Sequence, residues 1–375
     1  MKIYIVDNNI DEMGGVERIL STIANRLSKE HYDVNVISIY KTKNTPFFEY
    51  DTTIKRNYFV EIMNCNKVIH KPNRFTIKRK IKELCKEIQE DDIVIFGRVE
   101  VSIRFLPYLK NNNVIVRDAI HYFHYNYKIR ALMKKYFNKK VKLFIVSSDE
   151  SMKVYNEKLK LNNMKKIYNP LGIIPKVNYN YDCKKIVAVG RYDSQKGFEN
   201  LIKACNIVLK NKQDWNLEIV GVGNKSGLLE QYIENDIRNR VILNSGEKDI
   251  VSKLNEAGIF IMTSRYEGYA NALVEAMACG VPPISYDWLL GADDIINDGE
   301  NGSIVKLKDR FAYARGKDCE EDINSLAKQI EYLIENEELR EKYSLEAAKI
   351  TESRNPENII EIWKSEIENV IRSEK

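Results

Sequence analysis

The sequence lacks the features that mark secreted, zinc-bound or membrane-spanning proteins. Its six cysteines are scattered and include no C-x-x-C pair, so neither a disulfide framework nor a structural zinc site is expected. The longest apolar runs, IVIF and IFIM, are far shorter than the ~20 residues of a transmembrane helix. The opening residues MKIYIVD enter a strand pattern without an apolar h-region, so we expect no signal peptide. These absences predict a cytoplasmic protein.

Low-complexity tracts and repeats of solenoid length are also missing. With 44% hydrophobic and 30% charged residues, the composition is that of a globular protein. A chain of 375 residues is too long for one ordinary hydrophobic core, which favours two domains.

The net charge of +5 is unevenly distributed along the chain. Residues 1–175 hold 32 lysines and arginines against 19 aspartates and glutamates, whereas residues 176–375 hold 27 against 35. Such asymmetry predicts that the N-terminal half meets an anionic partner.

Strand and helix patterns alternate in two series. In the first, residues 2–7 predict a buried strand, Gly14 and Gly15 open an amphipathic helix, and Val34–Tyr40 is the next strand. This order is typical of a parallel α/β sheet. Further strands are predicted at Ile93–Phe96, Val114–Val116 and Leu143–Val146, with helices at 74–89 and 128–137 and no assigned element in 41–73.

The second series begins after the turn-forming residues Asn169-Pro170-Leu171-Gly172. Its predicted elements are strands at Ile186–Val189, Leu217–Val220, Val241–Leu243, Ile259–Met262 and Pro283–Ser285, helices at Glu199–Leu209, 226–235, 319–335 and 336–350, and a last amphipathic helix at Pro356–Arg372. We therefore predict an α/β protein with two doubly wound, Rossmann-like domains, residues 1–174 and 175–355, followed by a C-terminal helix within 356–375.

Two glycines occupy the place of a phosphate-binding turn in the first domain. Gly14 and Gly15 lie between the first strand and its helix, although the pair could also serve only to form a tight turn. The chain has no G-x-G-x-x-G, and no acidic ribose ligand follows the second strand. A dehydrogenase is therefore disfavoured.

Arg191 and Lys196 follow the first strand of the second domain, in GRYDSQKGFE. A planar guanidinium and a mobile ammonium together can neutralise a diphosphate. The alternative is an ordinary solvated basic loop. Their location at the carboxyl end of a parallel strand favours ligand binding.

Two glutamates eight residues apart occur in the stretch Thr263–Asp287. Glu267 is predicted on a loop, and Glu275 inside the short helix that follows, where Asn271 lies one turn earlier on the same face. A helix start suits phosphate, and carboxylates suit sugar hydroxyls. Acids near a helix start also occur without any ligand, but a carboxylate among the small apolar residues AMACG needs a partner.

Histidines and basic runs are further candidates in the first domain. His121 and His124 follow a predicted strand, where one could donate to a sugar or a phosphate, although a structural role is the commoner case. No third ligand at suitable spacing supports a metal site. The runs 70–82 and 128–142 predict either a solvated helix face or contact with anionic lipid or a polyanionic acceptor. No recognition motif for nucleic acid accompanies them, so we expect no nucleic-acid partner.

Taken together, the segments resemble the family-4 retaining glycosyltransferases of GT-B fold over nearly the whole chain. The resemblance is carried by EGYANALVEAMACGVPPISYD, which is similar to the family's E-x7-E signature, by VGRYDSQKGFENLIKA and by IINDGENGSIV. It implies two domains facing across a cleft, with the C-terminal helix crossing back to the first. Where many relatives have Phe-Pro or Phe-Gly after the Glu-Gly, this chain has Tyr269-Ala270.

The resemblance also implies roles for the candidate residues. Arg191 and Lys196 would hold the diphosphate of a nucleotide-sugar donor, Glu275 the ribose, and Glu267 the transferred sugar. Backbone N–H groups of Gly268, Tyr269, Ala270 and Asn271 would meet the sugar or the distal phosphate. Gly14 and Gly15 would approach the donor from the first domain, and His121, with His124 as the open alternative, would touch the sugar near the reacting carbon.

The expected activity is that of a retaining hexosyltransferase in polysaccharide biosynthesis. No Asp-x-Asp motif is evident, so we expect no metal and no cofactor, the nucleotide sugar being a substrate. The segment DWLLGADDIINDGENG favours uridine as the base. The acceptor would be a glycan, lipid-linked or polyanionic molecule of the cell envelope, and the protein would be cytoplasmic or peripheral at the inner face of the membrane. Two alternatives remain: a nucleotide-sugar 2-epimerase of the same fold, and a non-catalytic subunit that binds sugar nucleotides or anionic polymers.

Overall fold

The structure, a computed structural model, describes residues 1–62, 74–110, 113–118, 120–172, 174–175, 179–223, 226–247, 249–289 and 291–372. The chain divides into two units, the first built from residues 1–172 together with 354–375 and the second from residues 173–353.

The first unit is built on a parallel sheet of seven strands. These are β1 (Lys2–Asn9), β2 (Asp33–Lys41), β3 (Lys55–Glu61), β4 (Ile93–Phe96), β5 (Val114–Arg117), β6 (Leu143–Val146) and β7 (Met164–Lys166). Their order across the sheet is β3-β2-β1-β4-β5-β6-β7, so the direction of winding reverses between β1 and β4. At that reversal the strands pair Val6 with Phe96.

Helices cover both faces of this sheet, which explains why its central strands are apolar throughout. The helices described before residue 172 are α1 (Gly15–Lys29), α2 (Arg74–Glu87), α3 (Val99–Phe105), α4 (Tyr127–Lys140) and α5 (Asp149–Leu159). Helix α1 presents Ile19, Ile23 and Leu27 to one face at helical spacing. Helices α2 to α5 pack on the other face.

The second unit has a six-stranded parallel sheet. Its strands are β8 (Lys185–Arg191), β9 (Asn216–Val222), β10 (Val241–Ser245), β11 (Ile259–Met262), β12 (Pro283–Tyr286) and β13 (Ser303–Val305). The order is β10-β9-β8-β11-β12-β13, so the reversal here lies between β8 and β11. Two parallel, doubly wound α/β sheets confirm the predicted fold class.

The helices described in the second unit are α6 (Phe198–Leu209), α7 (Ile250–Asn255), α8 (Asn271–Ala278), α9 (Arg310–Ala314), α10 (Glu320–Glu335), α11 (Glu337–Ala348) and α12 (Ile350–Ser353). Helices α6 and α10 pack side by side on the sheet, where Leu201 and Leu326 are fully buried. Helix α8 follows β11 and ends at Ala278. Gly280 then takes the left-handed conformation, with φ of 77°, that closes many helices.

The last helix, α13 (Pro356–Arg372), belongs to the first unit. Trp363 and Ile367 are buried in the same hydrophobic cluster as the inner face of α1. Two ion pairs join the helices at the surface: Arg26 Nη2 lies 2.6 Å from Glu357 Oε1, and Lys364 Nζ lies 3.1 Å from Glu30 Oε2. The amphipathic pattern at the end of the chain therefore buries its apolar stripe against the first domain.

The structure differs from the sequence patterns at two places. Strand β3 lies within 41–73, a segment of mixed signals to which no element is assigned from the sequence. Residues 226–235, predicted as a helix, instead form short 3-10 turns at Ser226–Leu228 and Glu230–Tyr232, with a third at Asn235–Arg240. The start of the basic run at 70–82, residues 70–73, lies outside the described residues.

Candidate active site

The reversal of strand order in the second unit brings two loops together. Strands β8 and β11 are neighbours, and the chain leaves their carboxyl ends through residues 192–197 and 263–270. In open parallel sheets, ligands bind at this point, outside the carboxyl ends of the strands. The predicted residues Lys196 and Glu267 lie on these two loops, so the structure brings them together as the sequence suggested.

The loop after β8 requires glycine where it enters α6. Gly197 has φ of 61°, a left-handed conformation that other residues adopt only with strain. A Cβ atom there would lie 2.3 Å from the main-chain oxygen of Thr263 and 2.4 Å from the hydroxyl of Tyr313. Gly197 therefore permits both the turn and the close approach of the two loops.

Hydrogen bonds fasten the loops to each other. The hydroxyl of Thr263 donates to the main-chain oxygen of Lys196 over 3.0 Å, and the amide N–H of Arg265 donates to Gln195 O over 2.7 Å. In the other direction, the Gln195 side chain donates to Tyr266 O over 2.9 Å. The two segments thus form one unit of fixed geometry.

Lys196 and Glu267 form an ion pair. The ammonium nitrogen of Lys196 lies 2.6 Å from Glu267 Oε1, and the two side chains are only 14% and 9% exposed. The stem of Lys196 passes over Gly190, where a Cβ atom would lie 2.8 Å from Lys196 Cε. Because both charges are largely shielded from water, removal of one would leave the other uncompensated.

Arg191 is more accessible than Lys196. Its side chain, at the end of β8, is 59% exposed, with Nε 3.3 Å from Asp193 Oδ2 and Nη2 2.9 Å from Gln195 Oε1. These partners hold the guanidinium beside the loop while leaving most of it in water. Its position suits an anion that approaches the strand ends.

Glu275 lies half-buried in the middle of α8, with Leu273, Ala276 and Met277 buried around it. The helix begins at Asn271, and the preceding residue, Ala270, is buried and has no side chain that could cap it. Glu267 therefore lies on the loop between the end of β11 and the start of α8, and Glu275 lies inside that helix, as the sequence predicted.

The glycine turn of the first unit is held by a buried charge cluster. Arg98 binds both Asp7, at the end of β1, and Glu17, in the first turn of α1, with 2.5 Å between Arg98 Nη2 and Glu17 Oε1. A Cβ atom on Gly14 would lie 2.1 Å from Glu17 Oε2, so a larger residue there would displace the end of the Glu17 side chain. Burial raises the pKa of Asp7 to about 6, despite the nearby Arg98. Gly15 is the first residue of α1.

His121 and His124 occupy different environments. His121 is 4% exposed, and burial together with the neighbouring His124 lowers its pKa to about 4, whereas His124 is exposed. At pH 7 His121 is therefore neutral, and its ring can donate one hydrogen bond and accept another. The buried carboxylate of Asp118 anchors this segment by accepting from Tyr125 and Tyr155, each over 2.7 Å.

Sequence reasoning missed the residues that hold the second unit's loops in place. Side-chain hydrogen bonds from Arg265 and Gln195 join the two loops. The hydroxyl of Tyr313, on α9, donates to the main-chain oxygen of Thr263 in the second loop. Arg265 stands two residues before Glu267, in SRYEG. Its place three residues after the buried strand β11 was the one signal that could have pointed to it.

Comparisons with known proteins point to glycosyltransferases. The sequence model described as "Glycosyl transferases group 1" matches residues 172–350. An uncharacterized glycosyltransferase of Haemophilus influenzae is 30% identical over 364 residues, which cover 95% of this chain and 97% of that protein. The amylovoran biosynthesis glycosyltransferase AmsD of Erwinia amylovora is 24% identical over 380 residues, or 96% and 98% of the two chains.

A solved structure extends the likeness to the fold. The pneumococcal O-GlcNAc transferase GtfA, in complex with UDP and GlcNAc, superposes with a TM-score of 0.78 over 99% of each chain, at 17% identity. This likeness supports the GT-B architecture. Together with the near full-length relative from Haemophilus influenzae, these findings identify the chain as a glycosyltransferase of the glycosyl transferases group 1 family.

Proposed function

We propose that this glycosyltransferase transfers a hexose from a UDP-sugar to a cell-envelope glycan, with retention at the anomeric carbon and without a metal ion. The observation that carries the proposal is the Lys196–Glu267 pair at the strand reversal of the second unit. The pair places an ammonium group, which can bind a diphosphate, next to a carboxylate, which can accept hydrogen bonds from sugar hydroxyls. A sugar bonded to a diphosphate presents both of these groups close together.

Arg191 and Lys196 bind the diphosphate. Arg191 is exposed enough to reach a phosphate, and its planar fork suits two phosphate oxygens. Lys196 is a point charge whose present partner, Glu267, moves to the sugar hydroxyls when the phosphate takes the ammonium. Donor binding therefore replaces the Lys196–Glu267 ion pair with two charge-assisted contacts, one from Lys196 to the phosphate and one from a sugar hydroxyl to Glu267.

Glu267 and Glu275 bind the hydroxyl groups of the donor. Glu267 accepts from the transferred sugar, and Glu275, one turn into α8, accepts from the ribose. The backbone N–H groups of residues 268–271 add hydrogen bonds at the positive end of the helix. In the first unit, Gly14 and Gly15 approach the donor with their backbone.

The reaction breaks the bond between the anomeric carbon and the phosphate oxygen and forms a bond from that carbon to the acceptor hydroxyl on the same face. The released UDP oxygen takes the proton of the acceptor. Arg191, Lys196 and the start of α8 stabilise the charge that develops on UDP. Neutral His121 donates to the sugar near the reacting carbon. A trapped glycosyl-enzyme intermediate would contradict this same-face mechanism.

The choice of uridine is supported by GtfA, whose structure contains UDP. Metal independence is checked by transfer assays in EDTA, which we expect to leave the rate unchanged. A rate that is lost in EDTA and restored by a divalent cation would contradict it.

The central experiment compares Glu267→Gln with wild-type enzyme in transfer from a UDP-sugar. Because the amide keeps the shape of the side chain and loses its charge, we expect kcat to fall about 100-fold or more. Glu335→Gln, an exposed glutamate of the same unit, serves as the matched control. Full activity of Glu267→Gln would contradict the proposed role.

The same assay separates transfer from the alternative functions. A 2-epimerase would convert the UDP-sugar into another nucleotide sugar without any acceptor, whereas a binding subunit would leave it intact under all conditions. We expect UDP to be released and the product sugar to appear on an acceptor. Chromatography of the nucleotide sugars distinguishes the three outcomes.

The positive charge of the first unit supports the proposal that the acceptor is anionic or linked to an anionic membrane. Helices α2 and α4 both pack against α3 on one face of the sheet. Their exposed cations include Lys78, Lys82, Lys86, Lys128, Lys134, Lys135 and Lys139. Phe75 is 82% exposed and Tyr127 is 75% exposed, one on each helix. Cations next to exposed aromatics suit an anionic membrane surface or an acceptor linked to it.

No helix among the described residues is both long enough and apolar enough to cross a membrane. Vesicle flotation tests the surface association. We expect the protein to bind vesicles that contain phosphatidylglycerol and not to bind neutral vesicles. The double variant Lys134→Glu/Lys135→Glu is expected to lose this binding. The exposed pair Lys306→Glu/Lys308→Glu in the second unit is the charge-matched control. Equal loss in both double variants would contradict a site on α2 and α4.

A further inference from the structure

Arg265 is a buried cation close to the Lys196–Glu267 pair, yet it is not arranged to bind a substrate. Its side chain is 5% exposed. Nη1 lies 2.7 Å from Asp318 Oδ1, and Nη2 binds Glu199. With two carboxylates on one guanidinium, the positive charge is already compensated. A diphosphate would therefore gain little from it.

The remaining contacts of Arg265 join separate segments of the second unit. Nε donates to Ser194 O over 2.9 Å, in the loop that carries Lys196. Nη1 donates to Tyr313 O over 3.1 Å, and the guanidinium carbon lies 4.6 Å from the centre of the Tyr313 ring. One side chain thus fixes the loop after β8, the first turn of α6, helix α9 and the residues before α10.

The two loops that Arg265 joins carry the two proposed donor-binding residues, Lys196 and Glu267. Ser194, clamped by the guanidinium, begins the 3-10 turn that ends at Lys196. Glu267 follows Arg265 by two residues, and the Arg265 amide N–H is bonded to Gln195 O over 2.7 Å. The 2.6 Å separation of Lys196 Nζ and Glu267 Oε1 therefore depends on where Arg265 holds both loops.

We propose that Arg265 is a positioning residue, which sets the geometry of Lys196 and Glu267 for catalysis without touching the donor. The inference rests on the proposed function, because it assumes that this pair acts on the donor. An arginine in this place supplies a planar fork that meets two acids and two carbonyl oxygens at once. Lysine keeps the charge and cannot reproduce that geometry.

The test compares Arg265→Lys with a matched control, Arg340→Lys. Arg340 is also a buried arginine of the second unit, 6% exposed, and its Nη1 donates to the carbonyl oxygens of Leu333 and Ile334, away from the two loops. Both proteins are assayed well below their melting temperatures. We expect kcat of Arg265→Lys to fall about tenfold or more, with a smaller change in KM, because small misplacements of catalytic groups are costly. We expect Arg340→Lys to keep the wild-type kcat.

A double-mutant cycle with Glu267→Gln distinguishes positioning from general stabilisation. If Arg265 acts through the Lys196–Glu267 pair, Arg265→Lys lowers kcat in the wild-type background and has little further effect when Glu267 is already neutral. Additive losses, or equal losses in Arg265→Lys and Arg340→Lys, would overturn the proposal. A Glu267→Gln enzyme with full activity would instead contradict the proposed function itself.

Asp318→Asn provides a second variant that keeps Arg265 and its pair with Glu199. The Asp318 side chain is 28% exposed, so the cost to folding is smaller than at Arg265. We expect the same pattern as in Arg265→Lys with a smaller loss of kcat. Wild-type kcat in this variant, together with an Arg265→Lys protein that fails to fold, would assign Arg265 to folding alone and overturn the proposal.

Discussion

Replacement of Lys196 by methionine is expected to affect both folding and donor binding. The substitution removes the ammonium 2.6 Å from Glu267 Oε1 and leaves the carboxylate, whose side chain is only 9% exposed, without its cation. Loss of one partner of a buried ion pair costs about 3–5 kcal/mol. Since Lys196 is 14% exposed, we expect the lower end, about 3 kcal/mol. For a unit of this size, that corresponds to a fall in Tm of about 6–12 °C.

The double variant Lys196→Met/Glu267→Gln separates the two effects. Because it removes both charges, it is expected to recover most of the lost Tm. It does not recover the cation, so UDP binding should remain weakened by about 1.5–3 kcal/mol, which is about 10- to 150-fold in Kd. Differential scanning fluorimetry gives Tm, and isothermal titration with UDP gives Kd.

Two results would refute this reasoning. A Lys196→Met protein that melts with the wild type would show that the ion pair does not matter for folding. A double variant that binds UDP as tightly as the wild type would show that Lys196 does not meet the diphosphate. Lys184→Met, which removes an exposed lysine at the opposite end of β8, is the control for both measurements.

Three further perturbations have expected outcomes. Gly197→Ala places a Cβ atom in a left-handed turn against Thr263 O. It should lower the free energy of unfolding by at least about 1 kcal/mol, and with it Tm, and should also lower kcat. Trp363→Ala leaves a cavity in the hydrophobic cluster that α13 shares with the first unit's sheet. It should lower the free energy of unfolding, measured in urea, by about 3–5 kcal/mol. His121 has a folded pKa of about 4, below its unfolded value near 6.5, so its neutral form stabilises the protein above pH 6.5. That stability, about 3 kcal/mol, is lost as the pH falls from 6.5 to 4, and His121→Asn should flatten this part of the profile.

Three strands that match their predicted bounds to the residue have both faces buried. Strands β4, β6 and β11 coincide with the predicted apolar runs, because a parallel strand between two helical layers leaves no polar positions. Strand β3 is different, since it lies at the sheet edge and its sequence KRNYFVE is half exposed. Its pattern therefore carried too little periodicity to be recognised.

The wrong helix at 226–235 has a tertiary cause. Buried Asn206, on α6, donates to Tyr232 O over 2.8 Å and accepts from Glu234 N over 3.2 Å. These bonds satisfy main-chain groups that a helix would have paired locally. Apolar spacing alone cannot reveal such a partner from a distant element.

The candidate site was predictable in location and not in its internal contacts. Strand ends and glycines placed Arg191, Lys196 and Glu267 at the edge of one sheet, since parallel strands end at the same edge. The direct pairing of Lys196 with Glu267 depends on the bend at Gly197 and on the clamp by Arg265. Both are tertiary contacts between residues about 70 positions apart, so no local pattern encodes them.

A thermal-shift comparison of UDP, GDP and ADP tests the central claim, that the second unit's strand reversal binds a uridine nucleotide sugar. Ligand at about 100 times its Kd stabilises a protein by about 2.7 kcal/mol, which is easily measured as a rise in Tm. We predict that UDP and a UDP-sugar raise the Tm of the wild type more than GDP or ADP do, and that Lys196→Met/Glu267→Gln responds much less. An unchanged Tm with all three nucleotides would contradict the account.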